Sequence, residues 1–163
     1  MAFFEALRAA ASRYAAGVHF LGSPASARSL QALASRLPWP LPTAYRDFLS
    51  SFDGVTLFLE AQILFPCAEI RVVEGVPEGR SYLHIGDTAD GALWLDRDGR
   101  ISLADDSAPD PIVVGSQIEA FLEATLAREA LIVDRDGEFR EVFIGDDELE
   151  LGVLVGRAGL VED

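Results

Sequence analysis

Two histidines, one cysteine and many aspartates are the residues of this 163-residue chain whose chemistry goes beyond packing. His84 stands between Leu83 and Ile85, with Asp87 and Asp90 close behind it. That spacing offers a histidine–carboxylate pair for proton transfer, the acid–base half of a small hydrolase. No nucleophile motif of the G-x-S-x-G kind accompanies it. A structural histidine satisfied by its neighbours is therefore the expectation for His84. A zinc site on His84, Asp87 and Asp90 is not expected, because the chain has too few histidines and cysteines to complete a typical ligand set.

The aspartate-rich stretches Asp96-Arg97-Asp98-Gly99 and Asp134-Arg135-Asp136-Gly137 suggest calcium loops at first sight. An EF-hand also needs an acidic ligand two positions earlier, where Trp94 and Ile132 stand, and a closing Glu, where Asp105 and Phe143 stand. Both stretches read as Asp-Gly turns. No one pair of carboxylates stands out as a glycosidase pair. Cys67 follows Phe65-Pro66 in apolar company and reads as a buried thiol. The glycines at 152, 156 and 159 have the wrong spacing for a phosphate loop and no lysine beside them. No cofactor and no metal are expected.

Composition narrows the field further. There are 27 acidic residues against 13 basic ones, a net charge of −14. Clustered positive charge is what nucleic acid requires, so a nucleic-acid partner is not expected. An acidic surface keeps a protein dissolved, and it also steers basic partners. Every basic residue is arginine, and the chain has neither lysine nor asparagine. Lysine-dependent chemistry and N-glycosylation are thereby excluded. One cysteine allows no intrachain disulfide, which fits a reducing, cytoplasmic setting. No apolar run is long enough to span a membrane. The uncharged segment Tyr14–Ala27 ends in Ala25-Ser26-Ala27 like a processing site, but Glu5 replaces the basic start and Gly17, His19 and Gly22 interrupt the run.

The elements that must position these residues follow from periodicity. Phe3, Leu7, Ala10 and Tyr14 share a face and predict a helix over 2–16. Ser23 as N-cap and Pro24 open a second helix, which Pro38 stops. Three prolines around Trp39 and Leu41 stiffen the connection, and Pro42 opens a third helix carrying Tyr45, Phe48, Leu49 and Phe52, closed by Gly54. Tyr45, Phe48 and Phe52 read as core, whereas Trp39, between two prolines, is a candidate binding residue.

Strands are then predicted at 57–59, 63–65, 70–73, 82–85, 92–95, 101–103 and 112–114, with Asp90-Gly91 and Asp98-Gly99 as tight turns. A capping box at Ser116–Glu119 opens a fourth helix with Ile118, Phe121, Leu122 and Leu126. A second hairpin is expected from 131 to 144 around Asp136-Gly137. The tail from Asp146 alternates like a strand, yet its Asp-Asp-Glu start also suits a helix. Helices first, strands grouped, then a helix give an α+β domain, N-terminal helices before a central, mostly antiparallel sheet, with 131–163 as a peripheral acidic extension.

In order and motifs this chain resembles the SUKH superfamily, which includes the yeast cell-wall-assembly regulator family. The matching residues are Leu41-Pro42, Tyr45, Phe48-Leu49 and Asp53-Gly54; then Ile85-Gly86-Asp87, Asp90-Gly91, Leu93-Trp94-Leu95-Asp96 and Gly99; then Phe121-Leu122. The resemblance covers 24–127 of a single 1–163 domain. It implies a non-enzymatic protein-binding module, in bacterial members often an immunity protein that neutralises a toxin such as a basic nuclease. An intracellular scaffold or regulator of the same fold is the alternative. Charge density marks Asp87, Asp90, Asp96, Asp98, Asp105 and Asp106 as candidate contacts, on loops beside the central hairpin.

Overall fold

A computed structural model of the chain describes residues 2–74, 76 and 79–140. The tail from Asp146, the last part of the expected second hairpin and the late glycines lie outside the described residues.

The first helix, α1 (Ala2–Ala11), buries Phe4 and Leu7 and stops short of the expected residue 16. The Ser12 hydroxyl donates to the Ala9 carbonyl, a local bond that competes with helix propagation. A short strand that the sequence did not announce, β1 (Phe20–Leu21), follows. Helix α2 (Ala27–Ala34) begins three residues later than Pro24 suggests, with Ser26 as its N-cap accepting from the Ser29 N–H. The reason lies upstream. Gly22 N–H donates to the Gly54 carbonyl and Asp53 N–H to the Ser23 carbonyl, so this stretch stays extended along its neighbour.

Helix α3 (Thr43–Ser51) opens after Pro42 as expected and buries Tyr45, Phe48 and Leu49. Its C-cap is Phe52, so Gly54 is not the helix terminator; its φ of +89° serves the turn into β2 (Val55–Leu57). Next come β3 (Gln62–Leu64), β4 (Arg71–Val72), β5 (Tyr82–Thr88), β6 (Gly91–Asp96), β7 (Ile101–Ala104) and β8 (Ile112–Gly115). Helix α4 (Ile118–Glu129) closes the set, with Gln117 rather than Ser116 at its N-cap and no side-chain cap bond. The capping box is thus not formed.

The strands make one antiparallel sheet, ordered β1-β2-β3-β5-β6-β7-β8, with β4 also pairing β5. The chain is an α+β protein. The edge of β5 has two partners in turn: β4 along His84 and Leu83, then β3 along Gly86, Asp87 and Thr88. At the changeover the β5–β6 register slips, leaving Ile85 as a bulge. Gly86 then passes so close to β3 that a Cβ there would lie 2.0 Å from the Ile63 carbonyl oxygen.

One face of the sheet holds the core. Leu57, Leu64, Leu83, Ile85, Leu93, Leu95 and Ile101 join Phe4, Leu33, Phe48, Leu49, Phe52, Phe121 and Leu122 from the four helices in a single cluster. Burying each such side chain stabilises the fold by about 1.5–3 kcal/mol. The opposite face carries partly exposed side chains such as His84 and Trp94, with Ser102 buried among them. No described helix is long and apolar enough to cross a membrane.

Candidate functional site

In a regular strand, residues three apart point to opposite faces. The extra residue at Ile85 cancels that alternation. His84 pairs with Trp94, and Asp87 pairs with Ala92, so both project from the same, open face of the sheet. There the His84 Nε2 and the Asp87 Oδ1 lie 2.8 Å apart, with side chains 32% and 49% exposed. Phe65 meets the His84 ring edge-on at 5.0 Å. The histidine–carboxylate contact that the spacing offers is therefore present, on a partly exposed surface. The nearest hydroxyl along this row is Ser102, paired with Trp94 and so two strands away from His84, about 10 Å. Asp90 does not join the pair: it sits in the β5–β6 turn, its N–H held by the Thr88 hydroxyl. Among the described residues no group of three His, Cys, Asp or Glu gathers to hold a metal.

Cross-strand register lines up a row on this face: Arg71, His84, Trp94, Ser102 and Val113, one residue from each of five neighbouring strands. Beside it Tyr82 lies against Trp94 with ring centroids 5.2 Å apart. Phe65, His84, Trp94 and Tyr82 thus form a partly exposed aromatic surface. Alternation in 82–84 and 92–96 carried the signal for it. What the sequence hid was the bulge, without which Asp87 belongs to the wrong face.

The six candidate aspartates do not form one patch. Asp87, Asp90, Asp105 and Asp106 lie at or next to the β5–β6 and β7–β8 connections, at one end of the sheet. Asp96 and Asp98 lie at the β6–β7 turn, at the other end, a strand length of about 20 Å away. That exceeds the screening length of about 8 Å in physiological salt, so the two groups act separately. Their surroundings differ too. Asp96 Oδ1 accepts from the N–H groups of Asp98 and Arg100, and its Oδ2 accepts from Arg100 Nε at 2.8 Å. Asp98 also meets Arg100, at 3.2 Å. This end is a charge-compensated turn clasp. At the first end Asp105 accepts from the Ser107 N–H and hydroxyl, which holds its carboxyl below the usual range; Asp110, later in the same connection, pairs at 2.8 Å with Arg80, which precedes β5. Among the described residues Asp90 and Asp106 have no ion pair. The uncompensated acidity sits at this end.

Trp39, the remaining candidate, is held by a hydrogen bond. It is half-buried against the core, and its indole Nε1–H donates to the Ser81 hydroxyl at 3.0 Å. That bond ties the proline-rich connector to the start of β5.

The remaining reactive types are locked. His19 Nδ1 accepts the Phe58 N–H at 3.1 Å, between the rings of Tyr14 and Phe58. Burial pushes its pKa down to about 4, so it is neutral near neutral pH. It steadies three consecutive left-handed residues, Phe58, Leu59 and Glu60, at φ 50°, 56° and 73°. Cys67 is buried, and its N–H donates to Asp53 Oδ1 while Arg36 donates to its carbonyl. Burial, then the neighbouring Asp53, push the thiol up to about 12. No thiolate nucleophile is available there.

Comparison with protein-family models, with curated proteins and with solved structures finds no match to this chain.

Proposed function

We propose that this chain is a non-enzymatic protein-binding module of the immunity type, which neutralises a basic toxin by covering it with the open face of its sheet. The observation that carries the reading is the half-exposed surface of Phe65, Tyr82, His84 and Trp94, bordered at one end by uncompensated aspartates. Aromatic side chains with a polar edge are the usual energetic anchors of interfaces, and unpaired carboxylates at the rim accelerate encounter with a basic partner. The resemblance to the SUKH superfamily supports the same reading. A cytoplasmic location fits the single buried thiol. An intracellular scaffold of the same fold would use the same surface and differ only in its partner.

The 2.8 Å contact between His84 and Asp87 is the one observation that favours a hydrolase. Among the described residues the pair has no nucleophile hydrogen-bonded to it, Ser102 standing two strands off, and its side chains are 32% and 49% exposed to water.

Co-expression with the product of the adjacent gene tests the proposal. The expected result is rescue of growth, co-purification as a stoichiometric complex, and affinity that weakens as salt rises. Absence of a neighbouring toxin gene together with salt-insensitive partner binding overturns it. Ester hydrolysis that disappears in His84→Ala would move the assignment to the hydrolase.

A further inference from the structure

Strand β8 ends the sheet, and among the described residues nothing pairs its outer edge. Edges of this kind are normally blunted by charge, because an unpaired row of N–H and C=O groups recruits other strands. Here the strand is Ile112-Val113-Val114-Gly115, with no charged residue. Ile112 and Val113 are 62% and 57% exposed. The register slip opposite Ile101 and Ser102 bends the strand, and Pro111 precedes it, but neither adds charge. Val113 also closes the cross-strand row that runs through Trp94 and His84, with the buried Ser102 between it and Trp94.

The two ends of this edge differ. Next to Ile112 lies the β7–β8 connection with Asp105, Asp106 and Asp110, of which, among the described residues, only Asp110 has an arginine partner. Beyond Gly115 come the uncharged Ser116 and Gln117 before α4. A second copy of this chain is a poor occupant, since each copy brings a net charge of −14 and the same carboxylates to the contact.

We infer that β8 is a strand-addition site for an extended, apolar partner segment that carries arginine or lysine at its C-terminal side. Every strand pair in the sheet is antiparallel, and an antiparallel addition brings the partner's C-terminal side beside Ile112 and the aspartates. Backbone hydrogen bonds supply affinity, and alternate side chains extend the aromatic face or the core face. This inference rests on the proposed protein-binding role and specifies its geometry.

The probe is a synthetic peptide of alternating valine and threonine followed by arginines, measured by titration against the intact chain. Its partner probe carries the arginines before the strand. The first is expected to bind about tenfold more tightly than the second, and N-methylation of alternate amides is expected to abolish binding. The double variant Ile112→Glu, Val114→Glu leaves the core alone and adds negative charge, so a purely electrostatic site would gain affinity whereas a strand-addition site loses about tenfold or more. Equal binding of both peptides, indifference to N-methylation, or tighter binding by the double variant overturns the inference. So does concentration-dependent dimerisation that the double variant abolishes, because the occupant is then a second copy. Failure here with retained toxin binding that Trp94→Ala removes would leave the proposed function standing and refute only the edge.

Discussion

Acidification should loosen this fold through His19, and the substitution His19→Asn isolates the effect. In the native state the ring is neutral, accepts the Phe58 N–H and lies 4.4 Å and 4.5 Å from the centroids of Tyr14 and Phe58. Its pKa is depressed from 6.5 to about 4 by burial. The unfolded chain therefore takes up a proton first as pH falls. The stability contributed by neutral His19 is complete above 6.5 and is lost progressively toward about 4. Fully expressed, that displacement corresponds to roughly 3 kcal/mol. The ring is only half-buried, so water screens part of it and about 1–2 kcal/mol is the expected loss. Asparagine retains an acceptor for the Phe58 N–H and does not titrate. Urea unfolding across this pH range should show the wild type losing about 1–2 kcal/mol more than His19→Asn, against a shared background from the many carboxylates. Parallel curves for the two proteins, or an imidazole titration near 6.5 followed by NMR, would refute the reasoning.

Other outcomes follow from geometry already described. Gly86→Ala forces a methyl group into the Ile63 carbonyl and should cost about 3 kcal/mol in chemical denaturation, through loss of β3–β5 pairing. Glu60→Gly relieves a left-handed residue on an exposed turn and should raise stability by about 1 kcal/mol, read as a higher melting temperature. Trp94→Ala should weaken partner binding by about 2 kcal/mol in calorimetry while leaving the helical circular dichroism intact. Cys67 should resist a thiol-reactive chromophore in the native state and react at once in denaturant.

Much of the fold is legible in the residues because period and punctuation agree there. Tyr45, Phe48 and Leu49 announce α3 and are all buried, and Asp98-Gly99 forms the expected tight turn, with Gly99 at φ +89°. The departures arise where backbone contacts from distant segments override a local signal. Ser23 and Pro24 look like a helix start, but Asp53 takes the Ser23 carbonyl and holds the chain extended. Leu57–Leu59 looks like a strand, yet only Leu57 remains in one while Phe58 and Leu59 turn left-handed under His19. At the site, charge density found the acidic loops but not their separation, since strand direction decides which turns share an end.

The bulge at Ile85 bears on ancestry and on any search for kin. A chain lacking that extra residue would keep Trp94 opposite its histidine, but the side chain on the same face would then come two residues later instead of three. Relatives with a plain strand should therefore show His-x-Asp where this chain has His84-Ile85-Gly86-Asp87. An alignment that forbids a gap inside a strand would set the two aspartates on different columns, although both would project from the same face of the sheet.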